Sequence, residues 1–141
     1  MIIYLDTSAL VKLYVREAGS TEVQRWVASA DAIATSIVAY AETRAAFSRV
    51  LRLGVTSNTQ HQRRVSQFNQ DWANMLRVEL QPSLARNAGE LAEFHRLRGF
   101  DAIHLASALW LRDKAEQEFG FAAFDQRLCD EASRAGLPLL N

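Results

Sequence analysis

Two aspartates stand where a short apolar segment gives way to a helix-like pattern. Asp6 directly follows residues 2–5, an unbroken apolar run, and Asp125 follows residues 121–124 in the same way. Such runs are typical of strands buried on both faces of a parallel sheet, and ligand sites of α/β sheets lie at the carboxyl ends of the strands. Ser8 is predicted to cap the helix after Asp6, which leaves Asp6 free for another role. For Asp125, helix capping and ligand binding both stay open.

Glu42 and Asp101 are two further carboxylates in informative surroundings. Glu42 shares a helix face with Val38 and Ala46, so its carboxylate is predicted to lie along a small, apolar surface. A carboxylate buried there needs a partner or must stay protonated, and either a metal ion or a tertiary salt bridge would serve. Asp101 precedes an apolar helical pattern over residues 102–115 and is predicted to be its N-cap. Capping and metal binding are compatible, because a carboxylate has two oxygens.

Together these carboxylates predict an acidic metal site. Converging carboxylates repel one another, and a divalent cation relieves that repulsion. All-oxygen ligands favour Mg²⁺ or Mn²⁺ over zinc, and metal-activated water can attack a phosphodiester in line, leaving a 5′-phosphate and a 3′-hydroxyl. Asp6 and Asp101 are predicted to hold the principal ion, and Glu42 and Asp125 to complete the site or orient the water. The neighbouring hydroxyls of Thr7 and Ser8 would form hydrogen bonds to a carboxylate or to a water bound by the metal.

Length and composition restrict the class of protein. The 141 residues fit a single domain, and an apolar fraction of 49% suffices for a buried core. Sixteen basic and sixteen acidic residues balance, so no overall positive charge indicates nucleic-acid binding, although charge can segregate by face. The single cysteine excludes an intrachain disulfide. With no charged leader before the first strand and no apolar run near the ~18 residues of a membrane span, we expect a soluble cytoplasmic protein.

The pattern of elements predicts an α/β fold. Strands alternate with helices, which favours a three-layer α/β/α sandwich around a central parallel sheet of about five short strands. Thr21 and Gln24 have the spacing of a capping box at the start of the second helix. The predicted strands cover residues 2–5, 31–35, 77–80, 121–124 and 138–140. The predicted helices cover residues 8–16, 20–30, 36–53, 60–75, 83–97, 102–115 and 125–135.

Four segments, in this order and spacing, resemble the PIN-domain ribonucleases, specifically the VapC-type toxins of bacterial toxin–antitoxin pairs. The matching segments are residues 5–10, 36–42, 101–108 and 124–128. The resemblance implies a PIN-like fold, a Mg²⁺- or Mn²⁺-dependent endoribonuclease activity on RNA, a homodimer, and inhibition by a small cognate antitoxin of the VapB type. It carries the family's acidic site onto four residues, Asp6, Glu42, Asp101 and Asp125. The sequence departs from the family at Ala123, a position often held by Thr or Ser.

Two other functions stay open. An aspartyl phosphotransferase would use Asp6 as its nucleophile, but such enzymes usually place a second Asp two residues on, where this chain has Ser8. They also use a later lysine, and Lys114 lies in a different local setting. A non-catalytic PIN-like binding module is the second alternative, in which the acids would only hold a metal.

Several other residues invite a functional interpretation. His104 follows Asp101 by three positions, but we predict a histidine satisfied within helix packing, because the expected ions prefer oxygen ligands. Trp110 is predicted to lie in the core. Five arginines on two helices form a candidate basic patch, which could contact an RNA backbone or pair with nearby acids: Arg44, Arg49, Arg52, Arg63 and Arg64.

Overall fold

A computed structural model describes residues 1–141 and has a four-stranded parallel sheet at its centre. In chain order the strands are β1 (Ile2–Leu5), β2 (Ala32–Ser36), β3 (Leu76–Val78) and β4 (Phe119–Ala122). Their order across the sheet is β3-β2-β1-β4. In the register of β1, Tyr4 is paired with Ala34 of β2 on one side and with Phe121 of β4 on the other. The strand that precedes Asp6 is therefore an interior strand, as its unbroken apolar sequence predicts.

Helices cover both faces of the sheet. They are α1 (Thr7–Val11), α2 (Ser20–Ser29), α3 (Ala39–Arg52), α4 (Asn58–Trp72), α5 (Pro82–His95), α6 (Gly99–Lys114) and α7 (Gln126–Arg134). Successive side chains of β1 point to opposite faces: Ile3 and Leu5 pack in one hydrophobic core with α1–α4, whereas Ile2 and Tyr4 pack in another with α5–α7. The predicted three-layer α/β/α sandwich is thus confirmed.

The sheet has four strands, so the predicted fifth strand over residues 138–140 is wrong. Leu139 forms only an isolated parallel bridge with Phe121. Two backbone hydrogen bonds support it, from Phe121 N to Pro138 O at 2.8 Å and from Leu140 N to Phe121 O at 2.9 Å. Pro138 has no N–H to donate, so a regular ladder cannot extend through it.

The starts of α1 and α6 differ from the prediction. Asp6, and not Ser8, is the N-cap of α1, and its side chain accepts a hydrogen bond from the backbone N–H of Ala9. The N-cap of α6 is Arg98, so Asp101 lies inside the first turn and does not cap the helix. The N-cap of α1 lies two residues earlier than predicted, and that of α6 lies three residues earlier.

The start of α2 also differs. Its N-cap is Gly19, which has φ +91° and provides no side-chain cap, so the predicted capping box at Thr21 and Gln24 is wrong. A Cβ at Gly19 would lie 2.6 Å from the Phe124 ring, so both the backbone angle and the close approach require glycine here. A capping box does occur at the start of α4, between Ser57 and Gln60.

The outer face of α6 contradicts one further prediction. Trp110 is 46% exposed, and the ammonium group of Lys114 lies 4.9 Å from the centre of its ring. The inner face of α6, which includes Ala102, Leu105 and Ala106, fills the core instead. No helix in the structure is long and apolar enough to cross a membrane.

Candidate functional site

The four carboxylates singled out in the sequence line one cleft of about 340 Å³. Asp6 follows β1 and caps α1, Glu42 and Asp101 lie in the first turns of α3 and α6, and Asp125 caps α7. Each carboxylate therefore sits at a helix N-terminus, where free backbone N–H groups and the helix dipole favour negative charge. Four helix starts directed at one cleft explain how so much acidic charge can share it.

Asp6 is the most buried of the four, with 4% of its surface exposed. Its Oδ1 accepts hydrogen bonds from the Ala9 N–H at 2.9 Å and from the Ser8 hydroxyl at 2.7 Å. The Ser8 hydroxyl in turn accepts a hydrogen bond from the N–H of Phe124, next to Asp125. Burial raises the pKa of Asp6 and outweighs these hydrogen bonds and the neighbouring His104, while the charge of Asp101 raises it further.

Glu42 is held by two side chains from distant parts of the chain. Its Oε1 accepts hydrogen bonds from the Thr7 hydroxyl at 2.5 Å and from Nε2 of His104 at 3.0 Å. Burial alone would raise the pKa of Glu42, but the hydrogen bonds from His104 and Thr7 outweigh it and hold the pKa below its ordinary value. The sequence left open a metal ion or a tertiary salt bridge for Glu42. The structure provides tertiary hydrogen bonds from Thr7 and His104, and a metal ion at Glu42 stays a prediction.

His104 links this carboxylate to the core. It is buried, and its Nδ1 lies 2.9 Å from the hydroxyl of Tyr4 on β1. Because Glu42 Oε1 accepts from Nε2, the proton of a neutral imidazole is assigned to Nε2, and the Tyr4 hydroxyl donates to Nδ1. Burial raises the pKa of Tyr4 well above its ordinary value, so this phenol stays protonated. The prediction of a buried, satisfied histidine is confirmed, but its contact with Glu42 was missed.

We expect Tyr4→Phe to lower the free energy of unfolding by about 1–2 kcal/mol, because it leaves the buried Nδ1 of His104 without its donor. Urea denaturation measures this loss. Tyr40→Phe is the matched control, since the Tyr40 hydroxyl donates to Asn69 at the surface, and its effect should stay within about 0.5 kcal/mol. Equal stabilities of the two variants would contradict the role assigned to Tyr4.

Two cations also line the cleft, and sequence reasoning missed both. Nε of Arg98 donates to Asp101 Oδ2 at 3.2 Å, and its Nη2 lies 3.9 Å from Asp125 Oδ2. Lys12 pairs with Glu17 at 2.9 Å on another part of the wall. Arg98 lies three residues before Asp101, the spacing of a helical ion pair, and that spacing was the signal available in the sequence. Five carboxylates against two permanent cations leave the cleft acidic.

The donor chemistry of the cleft fits a hard divalent cation. Its acidic side chains offer oxygen ligands, and the buried Asp6 takes part in no salt bridge. No three of the Asp, Glu, His and Cys side chains stand close enough together to hold an ion in the arrangement seen. Glu42 faces His104, and Asp101 faces Arg98. A cation entering the cleft would therefore have to exchange with these partners.

None of the five arginines of the predicted basic patch lines the cleft. Arg44 donates to the Tyr40 hydroxyl, Arg52 to the Ser48 hydroxyl, and Arg64 to the carbonyl oxygen of Tyr14. These acceptors are hydroxyl and carbonyl oxygens, so the predicted pairing with nearby acids is not seen for these three arginines. A contact of the patch with RNA stays a prediction.

Comparison with known proteins gives consistent matches over nearly the whole chain. The family described as "PIN domain" matches residues 3–132. Ribonuclease VapC45 of Mycobacterium tuberculosis is 36% identical over 135 residues, which cover 96% of this chain and 92% of the relative. The crystal structure of VapC20 from Mycobacterium tuberculosis, a toxin that cleaves the sarcin–ricin loop, superposes with a TM-score of 0.65 at 21% identity, covering 96% and 95% of the two chains.

A second solved structure has the same fold. The VapBC2 complex of Rickettsia felis, bound to a DNA fragment from its promoter, contains a chain that superposes with a TM-score of 0.66 at 17% identity. The match covers 100% of this chain and 98% of that one. The sequence match with the family, the identity to the VapC relative and the shared fold agree, and the chain belongs to the VapC-type branch of the PIN-domain family.

Proposed function

We propose that this protein is a Mg²⁺- or Mn²⁺-dependent endoribonuclease that acts as the toxin of a type II toxin–antitoxin pair. The observation that carries the proposal is the convergence of four carboxylates, from four separate segments of the chain, on one cleft at the carboxyl edge of the sheet. A purely structural role would not require this convergence, because each carboxylate could cap or pair locally. Membership of a family that includes named ribonucleases supports the same activity.

In this proposal Asp6 and Asp101 hold the principal cation, and Glu42 and Asp125 complete the site or orient the attacking water. When bound, the cation supplies Lewis-acid stabilisation of the charge that develops on the phosphate. Asp6 suits this role because both of its observed hydrogen bonds use Oδ1, which leaves Oδ2 for a ligand. Ser8 and Ala9 fix the orientation of the carboxylate.

The other residues of the cleft keep Glu42 ionised and in position, or bind the substrate. Thr7 and His104 keep Glu42 ionised and fix its position, and a carboxylate with a low pKa can accept a proton from water only transiently. Arg98 is exposed over 81% of its side chain, so it can move from Asp101 to an RNA phosphate without disturbing the core. Glu42 is therefore best placed to orient the water, and Arg98 to bind substrate.

The proposed partners follow from the relatives. A small antitoxin of the VapB type would hold the toxin inactive, and the toxin itself would form a homodimer. The fold shared with a chain of the VapBC2 complex supports a partner of this type. Activity on RNA would be consistent with the expected cytoplasmic location. These proposals are tested by co-expression with the protein encoded next to this one, and by sedimentation of the purified chain.

The activity is tested by incubating the partner-free protein with structured RNAs in Mg²⁺ or Mn²⁺. We expect cleavage that EDTA abolishes and that added Mn²⁺ restores, with products that carry a 5′-phosphate and a 3′-hydroxyl. Products with a 2′,3′-cyclic phosphate, or cleavage unaffected by EDTA, would contradict the proposed chemistry. Phosphate release through a covalent adduct on Asp6 would instead favour a phosphotransferase, and metal binding without any cleavage would favour a binding module.

Arg98→Ala is expected to change metal and RNA affinity in opposite directions. Removing a cation that pairs with Asp101 and Asp125 should raise Mn²⁺ affinity about two- to fivefold, the range for an exposed ion pair. The same change should raise the KM for RNA several-fold, because a phosphate contact is lost. Calorimetric Mn²⁺ titration and cleavage kinetics measure the two effects.

The control for this prediction is Arg86→Ala, on the exposed face of α5 and outside the cleft. It should leave both affinities unchanged. A fall in Mn²⁺ affinity on removal of Arg98 would show that this side chain supports the acidic site and does not compete with the cation.

A further inference from the structure

A second cavity adjoins the acidic cleft. It measures about 520 Å³, within the range of about 300–1,000 Å³ that is usual for ligand sites, and the two share Glu42, Arg98 and Asp101. The remaining lining residues are Gly99, Phe100 and Ile103. Whatever occupies this cavity therefore lies directly beside the carboxylates assigned to catalysis.

Phe100 is the feature of this cavity that packing does not explain. The residue is 55% exposed, although it belongs to the first turn of α6, next to Asp101. Gly99 adds no side chain to the cavity, and a Cβ built there would meet no atom of more distant residues within 4 Å, so the cavity is open at this residue. An exposed aromatic ring at a fixed position beside a charged site is available to a flat ligand.

We propose that Phe100 is the stacking platform of a nucleobase subsite, in which an unpaired base of the RNA substrate lies against the ring while Arg98 binds the adjoining phosphate. This inference rests on the proposed ribonuclease function and names how the substrate is held. Unpaired bases of RNA are commonly recognised by stacking on aromatic side chains, and the backbone by arginine. Phe100 and Arg98 provide both groups on the first turn of one helix and its cap.

Phe100 differs from a second exposed phenylalanine, Phe94, because it lines the cavity beside the acidic cleft. Phe94, near the end of α5, is 82% exposed but lines neither the acidic cleft nor the adjoining cavity. A general hydrophobic contact would involve Phe94 at least as strongly as Phe100. Phe94 is therefore the matched control for any effect assigned to the subsite.

The test is fluorescence anisotropy in EDTA, where the proposed cleavage does not occur. The probes are a labelled 12-nucleotide single-stranded RNA of mixed sequence and a backbone analogue of the same length in which every base is absent. Phe100→Ala should weaken binding of the RNA about tenfold and leave binding of the abasic analogue unchanged. Phe100→Trp should restore RNA binding, and Phe94→Ala should match the wild type.

Several outcomes would overturn the subsite. These are equal RNA affinities of the wild type and Phe100→Ala, equal losses for RNA and the abasic analogue, or no RNA binding by the wild type. A change in sedimentation of Phe100→Ala with unchanged RNA affinity would assign the ring to a protein interface instead. Failure of the ribonuclease proposal would give a different result from failure of the subsite. RNA binding would still depend on Phe100, but neither Mg²⁺ nor Mn²⁺ would support RNA cleavage.

Discussion

Replacing Asp101 by asparagine is expected to lower the rate of RNA cleavage about a thousandfold, which corresponds to about 4 kcal/mol of transition-state stabilisation. The carboxylate lines the acidic cleft and is one of two proposed ligands of the principal cation. Asparagine keeps the shape of the side chain but removes its charge. Because Arg98 and not Asp101 caps α6, the start of the helix does not depend on this carboxylate, and the variant should fold.

Asp130→Asn is the control for this loss of activity. Asp130 is an exposed carboxylate on α7 that accepts a hydrogen bond from Gln126 and does not line the cleft. Its variant should cleave RNA at the wild-type rate. Residual activity of Asp101→Asn within tenfold of the wild type, under the same Mn²⁺ concentration, would remove Asp101 from the proposed site.

Asp6→Asn should produce opposite effects on stability with and without metal. Burial raises the pKa of Asp6, so the stability linked to this group is complete below the unfolded pKa and is lost as the pH rises through the folded pKa. At pH 7 in EDTA a neutral asparagine avoids that loss, and its amide oxygen can still cap α1. We therefore expect the metal-free variant to be at least as stable as the wild type.

Saturating Mn²⁺ should reverse this order. A ligand at a hundred times its dissociation constant stabilises the folded state by about 2.7 kcal/mol, equivalent to a rise in Tm of about 5–10 °C for a chain of this length. The wild type should show this rise and Asp6→Asn should lack most of it. Thermal unfolding followed by circular dichroism measures both. If Asp6→Asn is clearly less stable than the wild type in EDTA, or if Mn²⁺ raises its Tm as much as that of the wild type, Asp6 is not a ligand of the cation.

The sequence predicts those parts of the site whose signal is local. Asp6 was identified because the apolar run of β1 is recognisable from four residues. Asp125 was identified from the apolar run of residues 121–124, although β4 covers Phe119–Ala122 and ends two residues earlier than predicted. The choice of cap for α1 was wrong because Asp and Ser cap helices about equally well. A distant contact decides between them, since the Ser8 hydroxyl also accepts the N–H of Phe124 across the cleft.

The partners of Glu42 show why the rest of the site could not be predicted. The sequence indicates that the carboxylate of Glu42 needs a hydrogen-bond or charge partner. That partner, His104, lies 62 positions away in the chain, and His104 in turn contacts Tyr4. Contacts of that separation depend on how β1, α3 and α6 pack together. No local pattern encodes that packing, so the contact of His104 with Glu42 became visible only in the folded chain. Arg98 differs, because its spacing of three residues from Asp101 is a local signal.

Binding of a divalent cation by the converging carboxylates can be measured by a Mn²⁺ titration followed by electron paramagnetic resonance. We predict that the wild-type protein takes up Mn²⁺, that Asp6→Asn and Asp101→Asn each weaken its affinity at least tenfold, and that Asp130→Asn matches the wild type. Equal Mn²⁺ affinities of all four proteins would show that Asp6 and Asp101 do not bind the cation.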